Sequence, residues 1–301
     1  MDLERRALGW TLAGVAAGAS LLAIPQTTGI ERTVYLIARH ESGLHVADLT
    51  PADLVVREAG KEREILRLRR SPERLKVCFA IDEGLSPDLI VRRAAFRFIE
   101  QLQGAADIAL YLVGHGNAKL VDYTADVMPF LKAINSLPQR AQGGGNLVES
   151  LYELARNQRS LEGRRVIVVL ATEIPQRTTV TANGVLDQLR DNGTVLYAVT
   201  LVGPAGTVPA PTPEMAHLET VEEVERDRAL NDGTRQSGGL RIPSMRQDDF
   251  PAALDRIRGE LLNQYELTYA LPAGTKSDGR VSITARRKGI SVRGPTQVPK
   301  N

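Results

Sequence analysis

The chain has 301 residues, 43% hydrophobic and 25% charged, with 4% aromatic residues and a single cysteine. That is enough to bury a core without staples, and it excludes disordered, collagen-like and disulfide-framework proteins. Thirty-eight basic residues against 36 acidic ones leave a net charge of +2, too small a field to recruit nucleic acid or anionic lipid.

Arg5 and Arg6 precede an apolar run over residues 7–24, broken by Thr11 and Ser20 and followed by a polar exit at 25–29. Residues 1–24 therefore read as an export signal or an uncleaved membrane anchor. The run is short for a spanning helix and diluted by Gly and Ala, so a removable signal fits better. Ala17, Ala19 and Ala23 are the small residues at which cleavage is expected. The expected location is outside the cytoplasm: periplasm, cell envelope or extracellular space. Membrane contact is expected only through that N-terminal segment.

Residues 33–39, 54–58 and 65–70 read as short strands, with turns at 41–43 and 59–61. Residues 265–271, 281–287 and 290–293 read the same way, so the two chain ends (30–72 and 265–296) are expected to assemble one small antiparallel β-domain. The arginines of 65–70 fit the solvated face of a half-buried strand. From 73 to 264 the pattern changes to strands alternating with helices. The apolar run 75–81, which holds Cys78 as a core thiol, ends in Asp82. A helix over 87–102 leads to a strand over 107–113, a hairpin through His115-Gly116-Asn117 and a strand over 119–123. A helix follows at 126–135. Gly143-Gly144-Gly145-Asn146 opens a helix over 147–158, then a buried strand over 165–171, a helix over 181–191 and a strand over 195–202. Residues 204–233 read as a Pro/Gly linker followed by a charged, solvated helical insertion, with a partner-binding helix as the minority reading. Gly238-Gly239 marks a turn, and 249–263 an amphipathic helix. Buried strands alternating with helices predict a doubly wound, mostly parallel α/β sheet. Its ligands belong beyond the carboxyl ends of the strands at the topological switch point.

Three polar segments converge there: Asp82-Glu83-Gly84-Leu85-Ser86, Gly143–Asn146 and Thr172-Glu173. With the flanking stretches 43–61 and 257–269, they resemble the von Willebrand factor A family, in particular the exported A-domain proteins described from Acidobacteria. The resemblance spans nearly the whole mature chain and implies a non-enzymatic protein-interaction module. It also implies an adhesion-type metal site with an Asp-x-Ser-x-Ser loop, a Thr from a second loop and an Asp from a third. Asp82 and Ser86 match that pattern. Gly84 stands at the first Ser, Asn146 at the Thr and Glu173 at the Asp, so the motif is degenerate. Asp82, Ser86, Asn146 and Glu173 are its candidate ligands, for Mg²⁺ or for the more tolerant Mn²⁺ or Ca²⁺. The ion-free reading makes Asp82 and Asn146 caps of the helices that follow them.

Other chemistry fits less well. Gly143–Gly145 lacks the Gly-Lys-Ser/Thr of a phosphate loop. Asp82, Ser86 and His115 lack the strained elbow of a hydrolase nucleophile, and the four histidines have no ligand spacing. Two other classes stay open: a structural assembly protein without an ion, and an envelope enzyme using Asp82 and Glu173 as paired carboxylates. The partner expected is a protein, with no nucleic acid.

Overall fold

In the computed structural model, residues 29–85, 87–138, 146–172, 178–202 and 213–300 are described, the side chains of 213–220 excepted. The export segment, Ser86, the Gly143–Gly145 loop, Glu173 and the linker before Pro213 lie outside the described residues.

Strands from both chain ends interleave. The N-terminal part supplies β1 (Ile30–His40), β2 (Leu54–Glu58), β3 (Lys61–Arg63) and β4 (Ile65–Arg70). The central part runs β5 (Leu75–Asp82), α1 (Leu89–Gln101), β6 (Ala106–Val113), β7 (Asn117–Thr124), α2 (Met128–Asn135), α3 (Leu147–Asn157), β8 (Arg164–Thr172), α4 (Ala182–Asn192), β9 (Val195–Leu201), α5 (Pro213–Ser237), β10 (Leu240–Ser244) and α6 (Phe250–Leu262). The C-terminal part adds β11 (Tyr265–Leu271), β12 (Val281–Ala285) and β13 (Ile290–Arg293). One antiparallel sheet has the order β13-β1-β11-β4 and a second the order β12-β2-β3. They enclose an apolar core that includes Leu36, Val46, Val56, Leu267 and Tyr269. Inside it, Glu58 is almost fully buried. Its carboxylate accepts from Tyr269 Oη at 2.6 Å and Ser277 Oγ at 2.5 Å and sits 3.4 Å from Arg32 Nε, the pairing a buried charge requires.

The central sheet has the order β10-β9-β8-β5-β6-β7, with β7 antiparallel and the other strands parallel. It is thus doubly wound, as the alternating pattern predicts. Along β5, Leu75, Val77, Phe79 and Ile81 face one core with α1, α2 and α6. Cys78 and Ala80 face the other, with α3, α4 and α5. Both faces are covered, which is why the strand reads as a continuous apolar run.

Two sequence expectations are corrected. The 204–233 stretch is not a solvated insertion through its described part. The C-terminal half of α5 packs on the sheet, with Ala229 and Leu230 fully buried; the acidic residues that suggested solvation lie on its earlier turns. Asp82 does not cap α1. Asp88 does, accepting from Val91 N at 2.9 Å, and so the helix starts two residues later than expected.

The two sheet systems are joined through α6 and the base of β8. Glu260 of α6 has no exposed surface; it pairs with Arg39 of β1 at 3.1 Å and with Arg293 of β13. Arg164, at the start of β8, donates to Glu73 O, Leu261 O and Gln264 Oε1. Its guanidinium also lies over the Tyr35 ring, 5.9 Å from the centroid.

Candidate functional site

The chain leaves β5 toward β6 on one side and returns to β8 on the other, so the strand order reverses between β5 and β8. In open α/β sheets that crevice, at the carboxyl ends of the strands, is the ligand-binding position. Asp82 closes β5 and Thr172 closes β8, and their side chains meet across the crevice.

Asp82 is 3% exposed. Its Oδ2 accepts from Thr172 N at 3.0 Å and from Thr172 Oγ1 at 2.8 Å, and its Oδ1 accepts from Gly84 N at 2.9 Å. A carboxylate offers about four lone-pair positions, so the fold itself fills three. Burial raises the Asp82 pKa above the ordinary carboxylate range, against the pull of the Thr172 and Gly84 hydrogen bonds.

The residues around Asp82 are ordered by similar local ties. Glu83 N donates to Val113 O at 2.8 Å, carrying its side chain over the β6 end. There Oε2 accepts from His115 N at 3.2 Å and faces His115 Nδ1 at 3.1 Å. Gly114 leaves room for this arrangement, since a Cβ there would stand 2.5 Å from Glu83 Oε2 and displace the carboxylate. His115 itself is 68% exposed at the bend, as the hairpin reading expects. Asn146 N donates to Gly114 O at 3.0 Å, and its Oδ1 accepts from Glu149 N at 3.1 Å, capping α3. Glu149 then ties α3 to the segment before α4. Its Oε1 accepts from Thr179 Oγ1 at 2.5 Å and Thr179 N at 2.8 Å, and these bonds lower its pKa.

Of the four candidate ligands, Asp82 and Asn146 are therefore brought to the same edge, while Ser86 and Glu173 lie outside the described residues. The described residues do not fit a cation cage. Asp82 keeps about one free lone pair, the Asn146 amide oxygen is engaged at the cap, and Gly84 has no side-chain oxygen. No cluster of three or more His, Cys, Asp or Glu side chains suited to a metal occurs among the described residues. Two functional contacts were missed in the sequence: the clasp of Thr172 on Asp82, and the Glu149–Thr179 tie. Thr172 stands out as a polar residue ending an otherwise apolar run, but its partner is 90 positions away. Nothing in the sequence signals the Glu149–Thr179 tie.

No family model matches the sequence, and no curated protein matches it. Among solved structures, an aerotolerance-related membrane protein from Bacteroides fragilis NCTC 9343 aligns at 14% identity and TM-score 0.43, over 62% of this chain and 98% of that one. Proximal thread matrix protein 1 from the mussel byssus, with a zinc-occupied MIDAS motif, aligns at 12% identity and TM-score 0.47, over 68% of this chain and 49% of that one. The PilB minor pilin from Streptococcus sanguinis aligns at 10% identity and TM-score 0.45, over 64% of this chain and 62% of that one. Likeness at this level bears on no residue of the site. Strand order and burial define the class: a doubly wound α/β protein with an antiparallel β-unit built from both ends.

Proposed function

We propose that this chain is an exported, non-enzymatic protein-interaction module of the von Willebrand factor A type, whose recognition face works without an ion. The observation that carries the reading is the clasp of Thr172 on Asp82 at the switch point of the sheet. In this proposal the position where an adhesion-type domain would organise a cation is held by hydrogen bonds within the chain. The described residues around it, Glu83 with His115 and the Asn146-capped start of α3, form a preorganised surface for a protein partner. Preorganisation lowers the ordering cost of binding. Export rests on residues 1–24; no helix among the described residues is long and apolar enough to cross a membrane.

The module recognises its partner by shape and by the polar groups the loops display. An ion-dependent version would need Ser86 and Glu173 to supply most of the ligands, with Mg²⁺, Mn²⁺ or Ca²⁺ as the ion.

Calorimetry of the metal-stripped protein with each of the three ions tests the ion-free reading. No heat up to millimolar ion is expected; saturable binding that disappears in Asp82→Ala would overturn it. The interaction reading is tested with the immobilised chain and an envelope extract in chelator. A specific protein should be retained, and lost when Glu83→Arg and His115→Glu are combined in a chain that still folds. Retention unaffected by that pair would move the recognition face elsewhere.

A further inference from the structure

The molecule has a second candidate surface, far in kind from the switch point. β7 is the outermost strand of the six-stranded sheet and, among the described residues, is bonded only to β6. Beside it lies a groove lined by Tyr111, Lys119, Asp122 and Tyr123 of the two strands, Leu154 and Arg156 of α3, and the turn Gln158–Ser160. Two features set this groove apart. Gln158 is 2% exposed, and its Nε2 donates to Tyr123 Oη at 2.8 Å, but its Oε1 has no partner among the described residues. Exchanging the amide ends would only move the vacancy to the nitrogen. A buried amide end left unpaired costs about 1–3 kcal/mol.

The second feature is charge. Lys119 pairs with Asp122 at 3.1 Å, whereas Arg156 and Arg159, both exposed, form no ion pair among the described residues. Arg156 lies only against the Tyr152 ring, 6.0 Å from its centroid. The groove is therefore cationic in a chain whose overall charge is almost balanced. Unpaired strand edges of this kind are ready templates for another strand.

We propose that β7 and this groove accept an extended, acidic segment of a partner protein, added as a seventh strand. An extended peptide answers both the strand edge and the charge. Its backbone satisfies the open edge of β7, and its carboxylates meet Arg156 and Arg159. Main-chain pairing with side-chain selection is a known mode of peptide recognition. A second copy of this chain fits less well, since pairing two β7 strands antiparallel in one sheet would bring the Arg156 and Arg159 sets of both copies together. A free anion would answer the arginines but not the strand edge. The inference is independent of the ion-free recognition face, which occupies the carboxyl edge of β5 and β8.

The test is calorimetry of the full chain with an end-blocked eight-residue peptide of alternating glutamate and threonine. Saturable binding is expected, at least tenfold weaker when Arg156→Glu and Arg159→Glu are combined. Lys119→Glu serves as a second variant should that pair fail to fold. The same peptide N-methylated at every second amide, on the edge that would face β7, should lose at least tenfold, because its charges remain and its ladder does not. Absence of binding would overturn the proposal. Equal affinity for a lysine–threonine peptide or the N-methylated peptide, or insensitivity to the charge reversals, would do the same. Displacement by equimolar inorganic phosphate would reduce the site to an anion patch. A dimer of the free chain that the peptide cannot dissociate would assign the edge to a second copy.

Discussion

Replacing Asp82 by alanine tests whether this carboxyl is a structural clasp or a free ligand. The substitution orphans three donors, Gly84 N, Thr172 N and Thr172 Oγ1, in a position only 3% exposed. Each buried donor left unpaired costs about 1–3 kcal/mol. Two effects offset the sum: water entering the vacated space restores part of the bonding, and the penalty of burying the carboxyl disappears. The net loss expected is about 2–4 kcal/mol, or a melting midpoint lowered by about 3–6 °C for a chain of this size. Urea unfolding followed by far-ultraviolet circular dichroism measures it, with an unchanged slope showing that the folded state is otherwise intact. The pH dependence adds a second readout. Because burial raises the Asp82 pKa, the folded chain holds a proton that the unfolded chain releases between the ordinary carboxylate value and the raised one. The Asp82 contribution to stability therefore falls as pH rises through that window, and Asp82→Asn should remove the slope. A loss below about 1 kcal/mol with no pH effect would refute the clasp and return Asp82 to the role of an available ligand.

Glu260→Gln should weaken the junction between the two sheet systems. Breaking a fully buried pair costs about 3–5 kcal/mol, but Arg39 and Arg293 are 26% and 32% exposed, so about 2–3 kcal/mol is expected, read by a double-mutant cycle with Arg293→Met. Glu149 acts in the opposite pH sense to Asp82. Its folded pKa is lowered by the Thr179 hydroxyl and amide, so its stabilisation is present above the ordinary glutamate range and lost as pH falls through the lowered value. Glu149→Gln should flatten that acid limb, with a loss of about 1 kcal/mol at neutral pH, and hydrogen exchange at Thr179 reports it. Gly239→Ala places a Cβ 1.8 Å from Leu196 O, where backbone must yield. A loss at or above the upper end of the ~1–3 kcal/mol overpacking range is expected in the thermal midpoint.

The parts of the fold that could be read ahead of the structure are those whose signal is local and continuous. β5, β8 and β9 are buried on both faces, so each appears as an unbroken apolar run that neither helix periodicity nor a turn residue interrupts. β3 escaped because its residues, Lys61, Glu62 and Arg63, are all charged. It exists as a strand only because the turn at Ala59-Gly60 folds it back on β2. β10 escaped because Pro243 breaks the strand pattern; it is tolerated there because β10 is an edge strand, with β9 as its one neighbour among the described residues. In α5 the acidic stretch dominated the reading, although Ala229, Leu230 and Gly233 follow at the spacing of a packed face.

The site divides along the same line. That Asp82 and Thr172 stand at strand ends follows from where two apolar runs stop. That they stand beside each other follows from strand order, which pairs β5 with β8 across the intervening β6, β7 and three α-helices. A motif comparison assigns Asp82 an ion because it weighs residue types one at a time. The fold assigns its oxygens to Gly84 and Thr172, because a buried carboxyl takes the nearest donors that geometry supplies. The clasp of Gly84 and Thr172 fills three of the about four lone-pair positions of the carboxylate, and so accounts for Asp82 standing buried at the end of β5.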